Sequence, residues 1–357
     1  MLKFKVLEQT PQRLRCRLVG LEAPAQLRVE ATGAPLELCP EALLAAALPL
    51  AMAQRQSLQL DPLDPHLLKA LPALQTLYER LPNRLQPIEV VSSPAPASRT
   101  RASGVGCFFS KGLDSFYTFL EQHEDITHLL WIRGFDSPAH LQDEMLEPIR
   151  QLAERHGKTL VEIRTNLVRW ARPHVPWSTY HGNCLFTLAH LLKGTLGKVY
   201  IPATGSFERL LAWGSHPQLD GLWSSSDLEI VHHGKEAGRA EKLSRWGQHP
   251  ELVSNLQVCR GPRAAGQRNC GRCDKCLRTL LAWQAAGNSP DRNWKPRLRD
   301  LLALKPTHCA LVLWEVLLQE CQRMQAPWPT RRAVRLALSV LYLKAGWNQL
   351  RYLWQKR

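Results

Sequence analysis

Two groups of residues have types and spacings that can do chemistry. The first is Cys259, Cys270, Cys273 and Cys276, four cysteines within eighteen residues, the last three reading Cys-Gly-Arg-Cys-Asp-Lys-Cys. Two-residue gaps let successive thiolates converge on one point, and the longer loop after Cys259 swings the first sulfur to the remaining corner. A sulfur-only set selects Zn2+ over a hard cation, with an iron–sulfur cluster as the alternative. Four protein ligands leave no open position, so the expected role is structural. The second group is Ser110-Lys111-Gly112-Leu113-Asp114-Ser115, which follows an apolar run at 105–109 and opens a helical stretch. In a strand–turn–helix of this kind the turn amides and the helix N-terminus point into one small space that suits a pyrophosphate. The hydroxyls of Ser110 and Ser115 add donors, and Asp114 can hold a magnesium ion. Ser, Gly and Asp also build ordinary helix caps, so the string alone leaves both readings open.

The elements that must position these groups follow from hydrophobic periodicity. Continuous apolar runs at 105–109, 128–132, 159–163 and 198–202 read as buried parallel strands, and helix-like stretches lie between them at 114–122, 139–156 and 183–196. That alternation predicts an α/β fold, a doubly wound parallel sheet with helices on both faces. Residues 1–95 begin with period-two alternation (Leu2, Phe4, Val6; Leu14, Cys16, Leu18; Leu27, Val29) and continue into Leu/Ala-rich helices at 40–55 and 64–81, which predicts an N-terminal α+β accessory domain. The small, proline-bearing segment 92–104 is the expected linker. Residues 286–357 show helical periodicity and form a predicted basic helical extension after a central domain at 104–285.

Four blocks in the central region together resemble the PP-loop ATP pyrophosphatases, most closely 7-cyano-7-deazaguanine synthase-like proteins. They are the loop at 110–115, then Tyr180-His181-Gly182-Asn183 where that family carries P-G-R-N, then Arg239-Ala240-Glu241 in place of K-A-E, then the cysteine cluster, in the same order. The resemblance implies an adenine-nucleotide fold in which ATP lies across the strand ends and is split to AMP and pyrophosphate. A carboxylate or amide-type acceptor is adenylated, and ammonia or another nucleophile displaces AMP. It further implies that Ser110, Lys111, Gly112, Leu113, Asp114 and Ser115 bind the ATP phosphates with Mg2+, with Asp114, Ser115 and Arg239 in catalytic roles. Asn183 becomes a phosphate contact, and Phe135 and Asp136 lie near the base. On this reading Asp114→Ala abolishes ATP turnover and leaves the fold intact. The chain also departs from the pattern. Lys111 replaces a loop glycine, and if that position needs positive φ the strain costs about 1–2 kcal/mol. The turn arginine is missing, and between 205 and 235 Glu208, His216, Asp220 and three serines stand where substrate residues of the family are not recognisable. Two other functions remain in view: a tRNA-modifying sulfur or nitrogen transferase of the same superfamily, and a non-catalytic nucleotide- and zinc-binding module.

Composition bounds the rest. With 45% apolar and 22% charged residues the chain reads as a globular protein, and no apolar run reaches the roughly 20 residues of a membrane span. The start of the chain lacks a signal-peptide core, and the cysteines are clustered rather than paired, so a reducing cytoplasm is expected. The net charge of +15 is concentrated at the end: 286–357 holds 13 Lys/Arg against 4 Asp/Glu. Such a tail attracts RNA or an acidic protein partner. Cys107, inside an apolar strand, and Cys184, at the start of an apolar helix, are expected to pack in the core rather than act as nucleophiles.

Overall fold

The computed structural model describes all residues except 22–25, 84, 97–99, 136–138, 206–212, 260–266, 292–294 and 356–357. Its chain divides into two compact units. The first comprises 1–110, 121–203 and 212–233; the second comprises 111–120, 204–211 and 234–357.

The first unit is built on one ten-stranded sheet. Its parallel part contains β6 (Gly104–Phe108), β7 (His128–Arg133), β8 (Thr159–Thr165), β9 (Leu196–Pro202) and β10 (Glu229–His233) in the spatial order β10-β9-β6-β7-β8. The inner strands β6, β7 and β9 are mostly buried, as the parallel-strand reading requires, whereas β8 buries only Val161 and Ile163 and β10 only Ile230. The chain moves outward from β6 through β7 to β8, then returns to place β9 on the other side of β6. That reversal makes the carboxyl ends of β6 and β9 a topological switch point, where α/β sheets characteristically bind ligands.

The sheet does not stop there, which corrects the expected separate domain at 1–95. β3 (Gln26–Thr32) pairs antiparallel with β8, so that Val29 faces Thr165 and Thr32 faces Glu162. β2 (Arg13–Val19) and β1 (Leu2–Gln9) continue the meander, followed by the short parallel strands β4 (Leu58–Gln59) and β5 (Val90–Val91). Period-two burial holds in β2, where Leu14, Cys16 and Leu18 point inward. In β1 it holds through Leu2 and the half-buried Phe4 and is lost at Val6, 45% exposed, where the register shifts between Val6 and Glu8. Helices α1 (Pro40–Gln54) and α2 (Pro65–Glu79) belong to the same unit. α1 is apolar on nearly every face and is buried accordingly, packing on α6 (Trp177–Leu191). α2 begins at Asp64, whose carboxylate accepts the amides of His66 and Leu67, and it buries the stripe Leu67, Leu71, Leu74 and Tyr78. One continuous core therefore runs from Leu2 to Ile230. Helices α4 (Ala139–Arg155), α5 (Leu167–Ala171) and α7 (Pro217–Asp220) complete this unit.

The second unit is helical. It takes most of α3 (Leu113–Glu121), then α8 (Arg239–Trp246), α9 (Pro250–Asn255), α10 (Asp274–Ala285), α11 (Leu298–Leu302), α12 (His308–Arg323) and α13 (Trp328–Gln355). The basic tail is thus part of a helical unit that also contains the cysteines, and the expected boundary at 285 is not where the chain divides. α10 is held to α12 by Trp314, which is buried and donates its indole N–H to Asp274 at 2.8 Å. Among the described residues no helix is long and apolar enough to cross a membrane.

Candidate nucleotide and metal sites

The loop that follows β6 has the strand–turn–helix form its sequence predicts. The chain leaves β6 at Phe108, turns through Ser110, Lys111 and Gly112, and enters α3 at Leu113. Lys111 does adopt positive φ, +58°, with its residue only 2% exposed. A non-glycine residue held there stores about 1–2 kcal/mol, the kind of strain that a functional turn retains. Its carbonyl accepts the Gln257 amide at 2.9 Å. Leu113 is 1% exposed and anchors the turn. Ser110 is exposed, whereas Ser115 is buried and its hydroxyl donates to the Gly112 carbonyl at 2.9 Å. Ser115 therefore closes the turn instead of offering its proton to a ligand.

Asp114 sits between two cations. Lys242 Nζ lies 3.0 Å from Asp114 Oδ1, and an Arg239 guanidinium nitrogen lies 3.8 Å from Oδ2. Arg239 also donates to Thr279 Oγ1 at 2.9 Å, and burial pulls its guanidinium below its ordinary pKa. Lys242 is 1% exposed and stands 5.3 Å from the centre of the Tyr117 ring. The structure brings Arg239 beside the loop, together with Lys242, which the sequence did not single out. The signal was present: three residues apart on a helix, Arg239 and Lys242 lie on one face. Asp114 thus holds two cations together, and the carboxylates of Glu320 and Asp274 also act on Arg239.

The N-terminus of α8 is sealed by acids. Glu241 accepts the Gly238 amide at 2.7 Å, and the buried Glu320 accepts the Ala240 amide at 3.1 Å. A Cβ at Gly238 would stand 1.3 Å from Glu320 Oε1, so only glycine fits under that carboxylate.

Asn183 is not a phosphate contact in this structure. It is fully buried in α6, where its Oδ1 accepts the Tyr78 hydroxyl at 2.8 Å and its Nδ2 donates to the Ala45 carbonyl at 2.8 Å. Both ends of the amide are committed to the core of the first unit. Phe135, just past β7, meets Trp177 edge-on with ring centres 4.8 Å apart, in a group of rings that continues through His181 to Trp213. Asp136 and Glu208 lie outside the described residues. Cys107 and Cys184 are fully buried and burial pushes both thiols up, so they pack as core residues.

The four predicted metal ligands come together. The sulfurs of Cys259, Cys270, Cys273 and Cys276 all lie within 4.8 Å of one another, with Cys259–Cys273 and Cys270–Cys276 each at 3.9 Å. A tetrahedral ion about 2.3 Å from each sulfur requires edges of about 3.8 Å, so the set fits one zinc ion. Backbone and side-chain hydrogen bonds frame the cage. The Cys273 amide donates to Cys270 Sγ, Gly271 takes φ of +70° to make the knuckle, and Asn269 Oδ1 accepts the amides of Val258 and Cys259. Hydrogen bonding from Cys276 pulls the Cys273 thiol down to about 5, which favours the thiolate that a metal needs.

Comparison of the chain with protein-family models, with curated proteins and with solved structures finds no match.

Proposed function

We propose that the protein is an AMP-forming, ATP-dependent synthetase of the PP-loop type. The observation that carries the reading is the turn at 110–115: it leaves the central strand β6 at the switch point of a doubly wound sheet, and its Asp114 gathers Arg239 and the buried Lys242. In the proposed reaction the turn and the two cations take the β- and γ-phosphates of magnesium ATP. An oxygen of a carboxylate or amide-type acceptor attacks the α-phosphorus, the bond to the β-phosphate breaks, and pyrophosphate leaves. A nucleophile such as ammonia then attacks the activated carbon and AMP departs. The protein's part is orientation and charge neutralisation, without a covalent protein nucleophile. A single zinc ion on the four cysteines would hold the knuckle beside α10 and take no part in the chemistry.

The test is ATP–pyrophosphate exchange and AMP release in the presence of a heat-clarified cell extract that supplies the acceptor. Arg239→Gln is the diagnostic variant, because it removes one phosphate-side charge and leaves Lys242 its carboxylate. Wild-type exchange that falls by roughly 10²–10³-fold in Arg239→Gln supports the reading, the range seen when one preorganised charge-stabilising donor is lost. Exchange that persists undiminished in the variant, or is absent from the wild type, defeats it.

A further inference from the structure

The first three strands of the first unit carry an unbalanced charge on one face. In β2 the inward residues are Leu14, Cys16 and Leu18, so alternation turns Arg13, Arg15 and Arg17 to the opposite face. β3 buries Leu27, Val29 and Ala31 and turns Arg28 and Glu30 outward; β1 buries Leu2 and turns Lys3 and Lys5 outward. Beyond its register shift β1 adds Glu8, opposite Arg15. Six cations therefore share this face with two carboxylates. The face is open: Lys3, Lys5 and Arg28 are exposed, and the side chains of Arg13 and Arg15 are 62% and 43% exposed.

Both carboxylates are already paired. Glu30 lies 3.6 Å from Arg13 and Glu8 lies 3.3 Å from Arg15, each from the position directly across the strand pair. Among the described residues no carboxylate pairs with Lys3, Lys5, Arg17 or Arg28. The register adds to the imbalance, because Lys5 stands directly opposite Arg17, and Arg15 directly opposite Arg28. Like charges in such positions destabilise a sheet. Arg17 Nε is, in addition, buried with no hydrogen-bond partner. A face that only had to meet water would set opposite signs across from each other, as Arg13–Glu30 and Glu8–Arg15 do. Protection of a sheet edge does not account for the charge either, because Arg15 and Arg17 sit on β2 and have partners on both sides.

We propose that this face docks a double-helical nucleic acid through its phosphates. The centre of a protein–protein interface is poor in charge, whereas the centre here is Lys5, Arg15, Arg17 and Arg28. Four of the six cations are arginines, whose planar forks match phosphate oxygens two at a time. The arginines of β2 recur at every second residue, about 6.8 Å apart, and neighbouring strands add cations at about 4.8 Å. That grid gives a row of phosphates repeated partners. Phe4, the one aromatic residue of the three strands, packs on the core, so the face has no platform on which a single strand could stack its bases. Phosphate contacts carry no sequence information, so DNA and RNA duplexes are held alike. All six cations belong to the first unit, and the docking calls on none of the ATP chemistry.

Fluorescence anisotropy of the full chain with a short labelled DNA duplex, and with the RNA duplex of the same sequence, tests this. Each neutralised phosphate steepens the fall of log K with log salt by about 0.9. Lys5→Gln combined with Arg28→Gln is therefore expected to flatten the slope by about 1.8 for both duplexes. Between about 50 and 200 mM salt the variant then loses roughly 12-fold less affinity than the wild type. Its melting temperature should hold or rise, because two like-charge pairs are gone. If that variant does not fold, Lys3→Gln with Lys5→Gln, both exposed on β1, gives the same reading. A folded variant with the wild-type slope overturns the proposal. So does a wild type that binds neither duplex, and capture of poly-glutamate by that same protein would assign the face to an acidic polypeptide instead.

Discussion

Asp114→Ala should destabilise the protein, contrary to what the loop sequence alone suggests. Lys242 is 1% exposed and its ammonium lies 3.0 Å from Asp114, so truncating the aspartate removes the ion-pair partner of a buried charge. Removing one partner of a buried ion pair costs about 3–5 kcal/mol. The Asp114 side chain keeps 22% of its exposure, which admits some water and puts the expected loss near the lower end, about 3 kcal/mol. For a unit of this size each kcal/mol moves the melting temperature by roughly 2–4 °C, so a fall of about 6–12 °C is expected. The control is Asp114→Ala combined with Lys242→Met, which removes the stranded charge and fills its space with apolar atoms. That double variant should recover at least half of the loss, in thermal melts and in urea unfolding with unchanged slope. A single variant that melts with the wild type, or a double variant no more stable than the single, would refute the reasoning. Asp114→Ala is therefore a poor probe of ATP chemistry: its lost activity would mix a missing site group with a weakened fold.

Three further outcomes follow from the geometry. Cys273→Ser should abolish binding of one zinc per chain, measured by elemental analysis, and lower the melting temperature by several degrees, because metal binding and folding are coupled; a metal-free variant with wild-type stability contradicts a structural site. Gly238→Ala should cost about 1–3 kcal/mol by forcing a methyl group onto Glu320, and Glu320→Ala in the same chain should relieve the clash; a neutral Gly238→Ala is the opposing result. His181, lowered from 6.5 to about 4, binds its proton more readily in the unfolded chain, so its contribution to stability is present above pH 6.5 and is lost as pH falls toward 4. Urea midpoints should therefore fall over that window less steeply in His181→Phe than in the wild type, and equal slopes would remove His181 as a cause.

What could be read from the sequence was what local spacing encodes. The cysteine knuckle is written in gaps of two residues, and the structure closes it. The inner parallel strands β6, β7 and β9 announce themselves as apolar runs because they are mostly buried, whereas β10, with Ile230 alone buried, has no such run to read. The extent of the sheet was not legible, since β3 meets β8 across more than 130 residues and nothing near Val29 or Thr165 records that pairing. The period-two pattern of residues 13–31 correctly predicted strands but said nothing of which edge they would join. Asn183 shows a different limit. A polar residue opening an apolar helix can face a ligand or satisfy the core, and only the Tyr78 hydroxyl and the Ala45 carbonyl decide between them.

Asp220 and His216 stood out in the sequence, but the pairing of Asp220 with His232 was hidden for a further reason. Asp220 and His232 are each ordinary in sequence, one at the end of a four-residue helix and the other near the end of a strand. They become a pair only because β10 runs parallel beside β9 and meets α7, which ends in Asp220. Burial then changes what the pair can do: a surface aspartate would be free to rotate among waters, whereas Asp220, with its three donors, has one orientation and imposes one tautomer on its partner. That fixed orientation, given by Ser215, the His216 amide and His232, is a property of the fold that neither residue carries alone.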